Sequence, residues 1–184
     1  MKASPLAEGV VLATHIWPTT ANTPIAVPAL DLDWGGAIGD RHHGMTMSSD
    51  TRQKDVFDRG TEIRNHRQLS VVDAGELAEI AAALGIAELA PGTIADNICT
   101  SGIAGLTSLE PMSRLVFSSG AVLMTGGRNA PCTIAGRMVH ERYGSPAERF
   151  PKAAFDLRGV TAWVERPGPI AAGDLVRVLA PTGI

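Results

Sequence analysis

One cysteine stands out by its neighbours. Cys132 follows Gly126-Gly127-Arg128-Asn129-Ala130-Pro131. Proline suits the first position of a helix, because the N–H it lacks has no partner there. A helix expected over 131–143, stopped by Gly144, puts Cys132 among the unsatisfied N–H groups and positive dipole of a helix start, which favour a thiolate. Arg128, close in sequence, adds positive charge that lowers a thiol pKa further. A thiolate is the form of cysteine that binds soft metals or carries persulfide sulfur. The plain alternative is a buried, inert cysteine. Cys99, between Ile98 and Thr100, sits in a short β-type run and reads as a small buried hydrophobe.

A second cluster of reactive types is Gly39-Asp40-Arg41-His42-His43-Gly44. Adjacent histidines on extended chain point opposite ways, so they do not make a two-histidine zinc pair, which uses wider spacing. With Arg41 beside them, anion binding is the better chemistry; an exposed turn is the alternative. Asp40 is placed to orient an imidazole or to pair with Arg41. The polar run continues to His66, as a solvated loop with a short helix or as a cover over a site. The sequence holds no GxSxG, HExxH, Walker-type or GxGxxG motif.

The elements that must position these residues are mostly short β-type runs between Gly and Pro punctuation, with 20 glycines and 12 prolines in 184 residues. Strands are expected at 10–17, 68–72, 97–100, 114–117, 121–125, 160–165 and 175–179. Pro18, Pro24 and Pro28 mark an irregular or edge segment after the first. One helix is well defined. Asp73 is its N-cap, Glu76 its capping-box partner, Leu77, Ile80, Ala81 and Leu84 recur at helical spacing, and Gly85 stops it. A short helix is expected within 148–156. The fold class is mainly β with a few helices (α+β), most simply a partly closed barrel, in one domain over 1–184 with its core at about 8–180.

Composition excludes some functions. Aromatics at 4% and a net charge of -3 give no platform for nucleic acid. Two cysteines build no disulfide framework and fit a reducing cytoplasm. No apolar stretch approaches bilayer length, so no membrane span or signal segment is expected.

Four segments, in order, resemble the MOSC family, named for the C-terminal domain of molybdenum cofactor sulfurases, and especially its small stand-alone bacterial type. They are Gly39-Asp40-Arg41-His42-His43-Gly44, then Arg67-Gln68-Leu69-Ser70-Val71-Val72 with Glu76, then Pro91-Gly92-Thr93-Ile94-Ala95-Asp96-Asn97-Ile98 with Gly102-Ile103, and Arg128-Asn129-Ala130-Pro131-Cys132. The resemblance implies a β-barrel and a bound molybdenum–molybdopterin cofactor. Cys132 is then the molybdenum ligand or sulfur carrier, and Arg41, His42, His43, Arg67, Asn97, Arg128 and Asn129 are the cofactor-binding residues. Reduction of N-hydroxylated bases, persulfide delivery to another molybdoenzyme, or non-catalytic binding of an anion or protein are the activities to be weighed. No flavin or iron–sulfur motif is visible, so electrons would come from a protein partner. The pyridoxal-phosphate half of the full-length sulfurases is absent from these segments, so no PLP chemistry is implied. Two positions depart from the family pattern: Asp96 replaces a glutamate, and Met112-Ser113 stands where a glycine-aspartate turn is common.

Overall fold

The computed structural model describes residues 4–181. Its strands are β1 (Ala7–Ile16), β2 (Ile25–Val27), β3 (Ala29–Asp33), β4 (Gly36–Ala37), β5 (Thr46–Ser48), β6 (Glu62–Arg64), β7 (Leu69–Asp73), β8 (Ile98–Ser101), β9 (Arg114–Phe117), β10 (Val122–Arg128), β11 (Val160–Arg166), β12 (Gly168–Ala171) and β13 (Leu175–Leu179). The helices are α1 (Ala74–Leu84), α2 (Thr133–Tyr143) and α3 (Phe150–Ala153), with 3-10 turns at Thr51–Gln53, Leu106–Ser108 and Ala147–Arg149.

The expected barrel is present, and it closes. The main sheet runs β13-β9-β10-β11-β7-β8-β1-β2, and β13 also pairs with β1. The first half of β1 faces β13 (Ala7 opposite Val178), and its second half faces β8 and the short edge strand β2. A bulge between Val11 and Ala13 lets one ten-residue strand serve three partners. Pairing within this sheet is antiparallel except between β7 and β8. A parallel pair needs a long crossover, and α1 with the segment after it supplies one. β3, β4 and β12 form a separate three-stranded sheet, and β5 and β6 form a two-stranded ribbon.

Alternation along the strands feeds two cores. Val71 and Ile98 point into the barrel with Leu30, Leu115, Leu123, Val160, Val176 and Val178. Their neighbours Val72 and Cys99 point outward, where Leu77, Ile80 and Leu84 of α1, Val139 of α2 and Phe150 of α3 cover them. Each large apolar side chain so buried contributes about 1.5–3 kcal/mol.

Helix α1 keeps its expected bounds: Asp73 caps it by accepting from the Gly75 N–H, and Gly85 ends it in the left-handed conformation at φ 71°. The capping box is absent, however. The Glu76 carboxylate turns away from the helix start and accepts from the backbone N–H and the hydroxyl of Thr107. Two buried donors close at hand win over the backbone N–H of the cap. Helix α2 also starts later than expected, at Thr133 with Cys132 as an extended N-cap residue. The carbonyl of Ala130, which a helix opening at Pro131 would use for its first turn, accepts instead from Arg158 Nη1 at 2.6 Å.

Candidate functional site

The largest group of candidate residues meets in a cleft of about 400 Å³ between the barrel, α2 and the β5–β6 ribbon. Cys132 forms part of its wall, partly exposed. Burial pushes its thiol pKa up, but the Ala135 amide, the Arg158 guanidinium, the Ile134 amide and Arg52 outweigh it and hold the thiol below its ordinary value. Cys132 thus stands at the helix start as expected, although its side chain makes no cap hydrogen bond. The nearby cation is a different arginine.

Arg128 does not reach the cleft. Gly126 and Gly127 sit at a bulge in the β10–β11 pairing, between Thr125 and Gly127. Beyond it Arg128 faces outward and pairs with Asp156 at 2.6 Å on the surface, whereas the next residue, Asn129, turns inward and is buried. A side chain on Gly126 would meet the Thr161 hydroxyl and the His66 carbonyl at 2.9 and 3.1 Å, so the bulge needs glycine there.

Besides Arg41, three arginines line the same cleft: Arg52, Arg67 and Arg158. Arg158, immediately before β11, is 7% exposed, and gives its Nη1 to Asn129 Oδ1 (3.3 Å) and its Nη2 to the Ile94 carbonyl (3.3 Å). Its Nε is buried without a hydrogen-bond partner among the described residues. Arg67 donates to the same Asn129 Oδ1 at 3.3 Å. Burial, with Arg52 and Arg158 nearby and Asp50 opposing them, brings the Arg67 pKa down to about 10. Arg52 comes from the loop that the β5–β6 ribbon carries, and it pairs with Asp50. Three guanidinium groups around one paired carboxylate leave an uncompensated positive charge beside a thiolate-forming cysteine. Arg52 and Arg158 were not singled out in the sequence. Arg158 offers no motif, because its partners are backbone carbonyls 28 and 64 residues away.

The Gly39–Gly44 segment forms the opposite wall, and much of it is committed to holding itself in place. Asp40, 6% exposed, accepts from the backbone N–H of Trp17 (2.7 Å), the backbone N–H of His42 (2.8 Å) and Asn97 Nδ2 (3.0 Å), and lies 3.0 Å from His42 Nδ1. Burial raises its pKa, but the His42 contacts and the Trp17 N–H overcome this and keep it below the ordinary carboxylate value. Arg41 stacks 3.8 Å over the Trp17 ring and donates to the carbonyls of Trp17, Pro18 and Ala21. It lines the cleft as a brace for the 17–21 turn. His42 and His43 both line the cleft but bond apart, His43 Nε2 lying 2.8 Å from Asp33 Oδ1. Asn97 also lines it, with its amide spent on the Ser70 N–H, the His15 carbonyl and Asp40.

Seven of the eight expected site residues thus share one cleft: Arg41, His42, His43, Arg67, Asn97, Asn129 and Cys132. Arg128 is outside it. Cys99 is fully buried in the outer core, and burial, with Asp96 and Asp73 adding to it, pushes its thiol up to about 12. Asp96 is buried behind the cleft, where it accepts from the Gly92 N–H at 2.8 Å. Met112 holds the left-handed conformation, at φ 71°, that the family pattern gives to glycine.

Comparisons with known proteins bear on the family and the fold. The MOSC domain family model matches residues 40–177, which include every residue of the cleft discussed above except Trp17. The chain is 38% identical over 175 residues to a Bacillus subtilis protein described as "Putative metal-sulfur cluster biosynthesis proteins YuaD", covering 94% of this chain and 88% of that one. The crystal structure of the YuaD protein from Bacillus subtilis superimposes with a TM-score of 0.88 at 36% identity, covering 93% of this chain and 95% of that chain. YiiM from Escherichia coli shares the fold, with a TM-score of 0.59 at 13% identity over 95% of this chain and 72% of its own. A family match over most of the chain, together with a relative at this identity and coverage, settles the affiliation: the chain belongs to the MOSC domain family.

Proposed function

We propose that the cleft binds the phosphate and pterin of a molybdopterin-type cofactor beside the thiolate of Cys132, which contacts the cofactor's molybdenum or sulfur. The observation that carries this reading is the meeting of Cys132 with Arg52, Arg67 and Arg158 in one cleft of about 400 Å³. Such a volume suits a ligand of cofactor size. Among the described residues no three His, Cys, Asp or Glu side chains could hold a metal ion together. A metal at Cys132 therefore has to bring its other ligands with it, as molybdenum on a pterin dithiolene does. The Arg158 guanidinium and the Cys132 thiolate favour each other's charged form.

In this reading Arg52 and Arg67 hold the phosphate, since guanidinium forks match phosphate oxygens. Asn129 keeps Arg67 and Arg158 in register by accepting from both. Arg158 and the start of α2 favour the thiolate form of Cys132. The bound group would supply oxygen-atom abstraction through a two-electron change at molybdenum, the chemistry by which N-hydroxylated bases are reduced; electrons come from a protein partner. A second reading gives the same thiolate a persulfide to pass to another molybdoenzyme. It is favoured by the partial exposure of Cys132 at the cleft wall and by the metal-sulfur description of the Bacillus subtilis relative.

The test is metal and pterin analysis of protein made in a host that synthesises molybdopterin. Wild-type protein is expected to carry both. Cys132→Ser should lose the molybdenum, because a hydroxyl is harder and far less acidic, while Arg67→Ala should lose pterin and metal together. Wild-type protein free of both, with no persulfide detectable on Cys132, would refute the reading.

A further inference from the structure

Behind the cleft, out of reach of any ligand in it, lies a chain of hydrogen bonds that ends at Arg158. Thr107 is 1% exposed, on the 3-10 turn Leu106–Ser108. Its backbone N–H and its hydroxyl both donate to Glu76, at 2.9 and 2.7 Å. With its proton given to the carboxylate, the Thr107 oxygen accepts from the Gly159 N–H at 2.6 Å. The Gly159 carbonyl in turn accepts from the Asn129 N–H at 2.9 Å. Gly159 has a φ of 72°, and a Cβ there would lie 1.9 Å from the Val71 carbonyl. One residue, Gly159, is thus wedged against β7 and tied through both its N–H and its carbonyl, and the residue before it is Arg158.

We propose that Thr107, oriented by Glu76, is a positioning residue that fixes Gly159 and so aims the Arg158 guanidinium and the Asn129 side chain into the cleft beside Cys132. The inference rests on the cofactor-binding reading only for the use to which the aimed groups are put. The direction of the relay follows from the carboxylate. Glu76 can only accept when ionised, so the hydroxyl must donate to it and present a lone pair to Gly159. Burial raises the Glu76 pKa, with the Thr107 donors pulling it back, so the pair of donors is what an ionised Glu76 requires. In Glu76→Gln the side-chain amide can take the hydroxyl's place as donor, and the Thr107 proton then competes with the Gly159 N–H.

The experiment compares wild type with Thr107→Val, Thr107→Ser and Glu76→Gln. Two quantities are read on folded protein: the Arg158 Nε–H signal in nitrogen-15 NMR spectra, and the rate of Cys132 alkylation by iodoacetamide at pH 7, resolved by peptide mapping. In Thr107→Val the Arg158 signal should broaden or vanish, and alkylation should slow roughly threefold to tenfold, the effect of weakening one nearby charge by about half to one pKa unit. Thr107→Ser keeps the hydroxyl and should restore both. Glu76→Gln should change both in the same direction as Thr107→Val, and it serves if Thr107→Val does not fold. A wild-type Arg158 signal and alkylation rate in either folded variant overturns the inference. Loss of both readouts in Thr107→Val with recovery in Thr107→Ser, in a wild-type protein that carries neither pterin nor persulfide, would leave the positioning role standing and remove the cofactor reading.

Discussion

Cys132 and Cys99 separate on burial and neighbouring charge. Cys132 lies at a cleft wall with its thiol held low, whereas Cys99 is buried with its thiol pushed up to about 12. Because the thiolate is the nucleophile, iodoacetamide under native conditions should label Cys132 first, with Cys99 reacting only on unfolding. A lowered pKa sets the sign of the pH profile: at a given pH Cys132 reacts faster than an ordinary thiol, and the rate falls as acid protonates it. Faster labelling of Cys99 would contradict the assignment. The arginines divide in the same way. Arg67→Ala should weaken inorganic phosphate binding about 10- to 100-fold, the effect of losing one or two charge-assisted hydrogen bonds. Arg128→Ala, which breaks only a surface pair with Asp156, should leave phosphate affinity unchanged in the same titration.

The turn before β9 shows how an element can be built against its own residue. Met112 sits at φ 71° and is 44% exposed, and its N–H donates to the Thr125 carbonyl at 2.7 Å. A left-handed Cβ costs about 1–2 kcal/mol, and glycine gives back about 0.5–1 in unfolded-chain entropy. Met112→Gly should therefore stabilise the protein by about 0.5–1 kcal/mol in urea unfolding, with the cleft unaffected. The strand β9 itself occurs at residues 114–117 as read from sequence, as does α1, because each carries its own periodicity and punctuation. The β5–β6 ribbon was not legible. Its strands are three residues each, too short to alternate, and their register is held by groups outside them, such as the Asn65 N–H bonded to the Met45 carbonyl. The start of α2 lies two residues beyond the position its sequence suggests for a related reason: Arg158, from another part of the chain, takes the carbonyl that would have begun it. Cys132 and the Gly39–Gly44 wall were legible because local chemistry marks them; Arg52 and Arg158 belong to the site only through long-range folding.

Asp40 joins three distant parts of the molecule, the end of β1 through the Trp17 N–H, the start of β8 through Asn97, and its own wall through His42. Its folded pKa lies below the ordinary 3.8. A depressed carboxyl contributes stability that is present above the unfolded value and is lost as pH falls through the folded one. The melting temperature of Asp40→Asn should therefore lie furthest below wild type near neutral pH, and the gap should narrow below pH 3.8. A gap that stays constant with pH would assign the loss to geometry alone. The pairing of β1 with β13 reaches further still, joining Ala7 to Val178. During synthesis every residue of the cleft, from Trp17 to Thr161, emerges before the strand that seals the ring. Until β13 slots between β9 and β1, the growing chain has an open sheet with two unpaired edges, the kind of template that recruits strangers. Closure of the ring and protection from aggregation are then tied to one event, the docking of five residues, Leu175–Leu179, that follow every cleft residue in the chain.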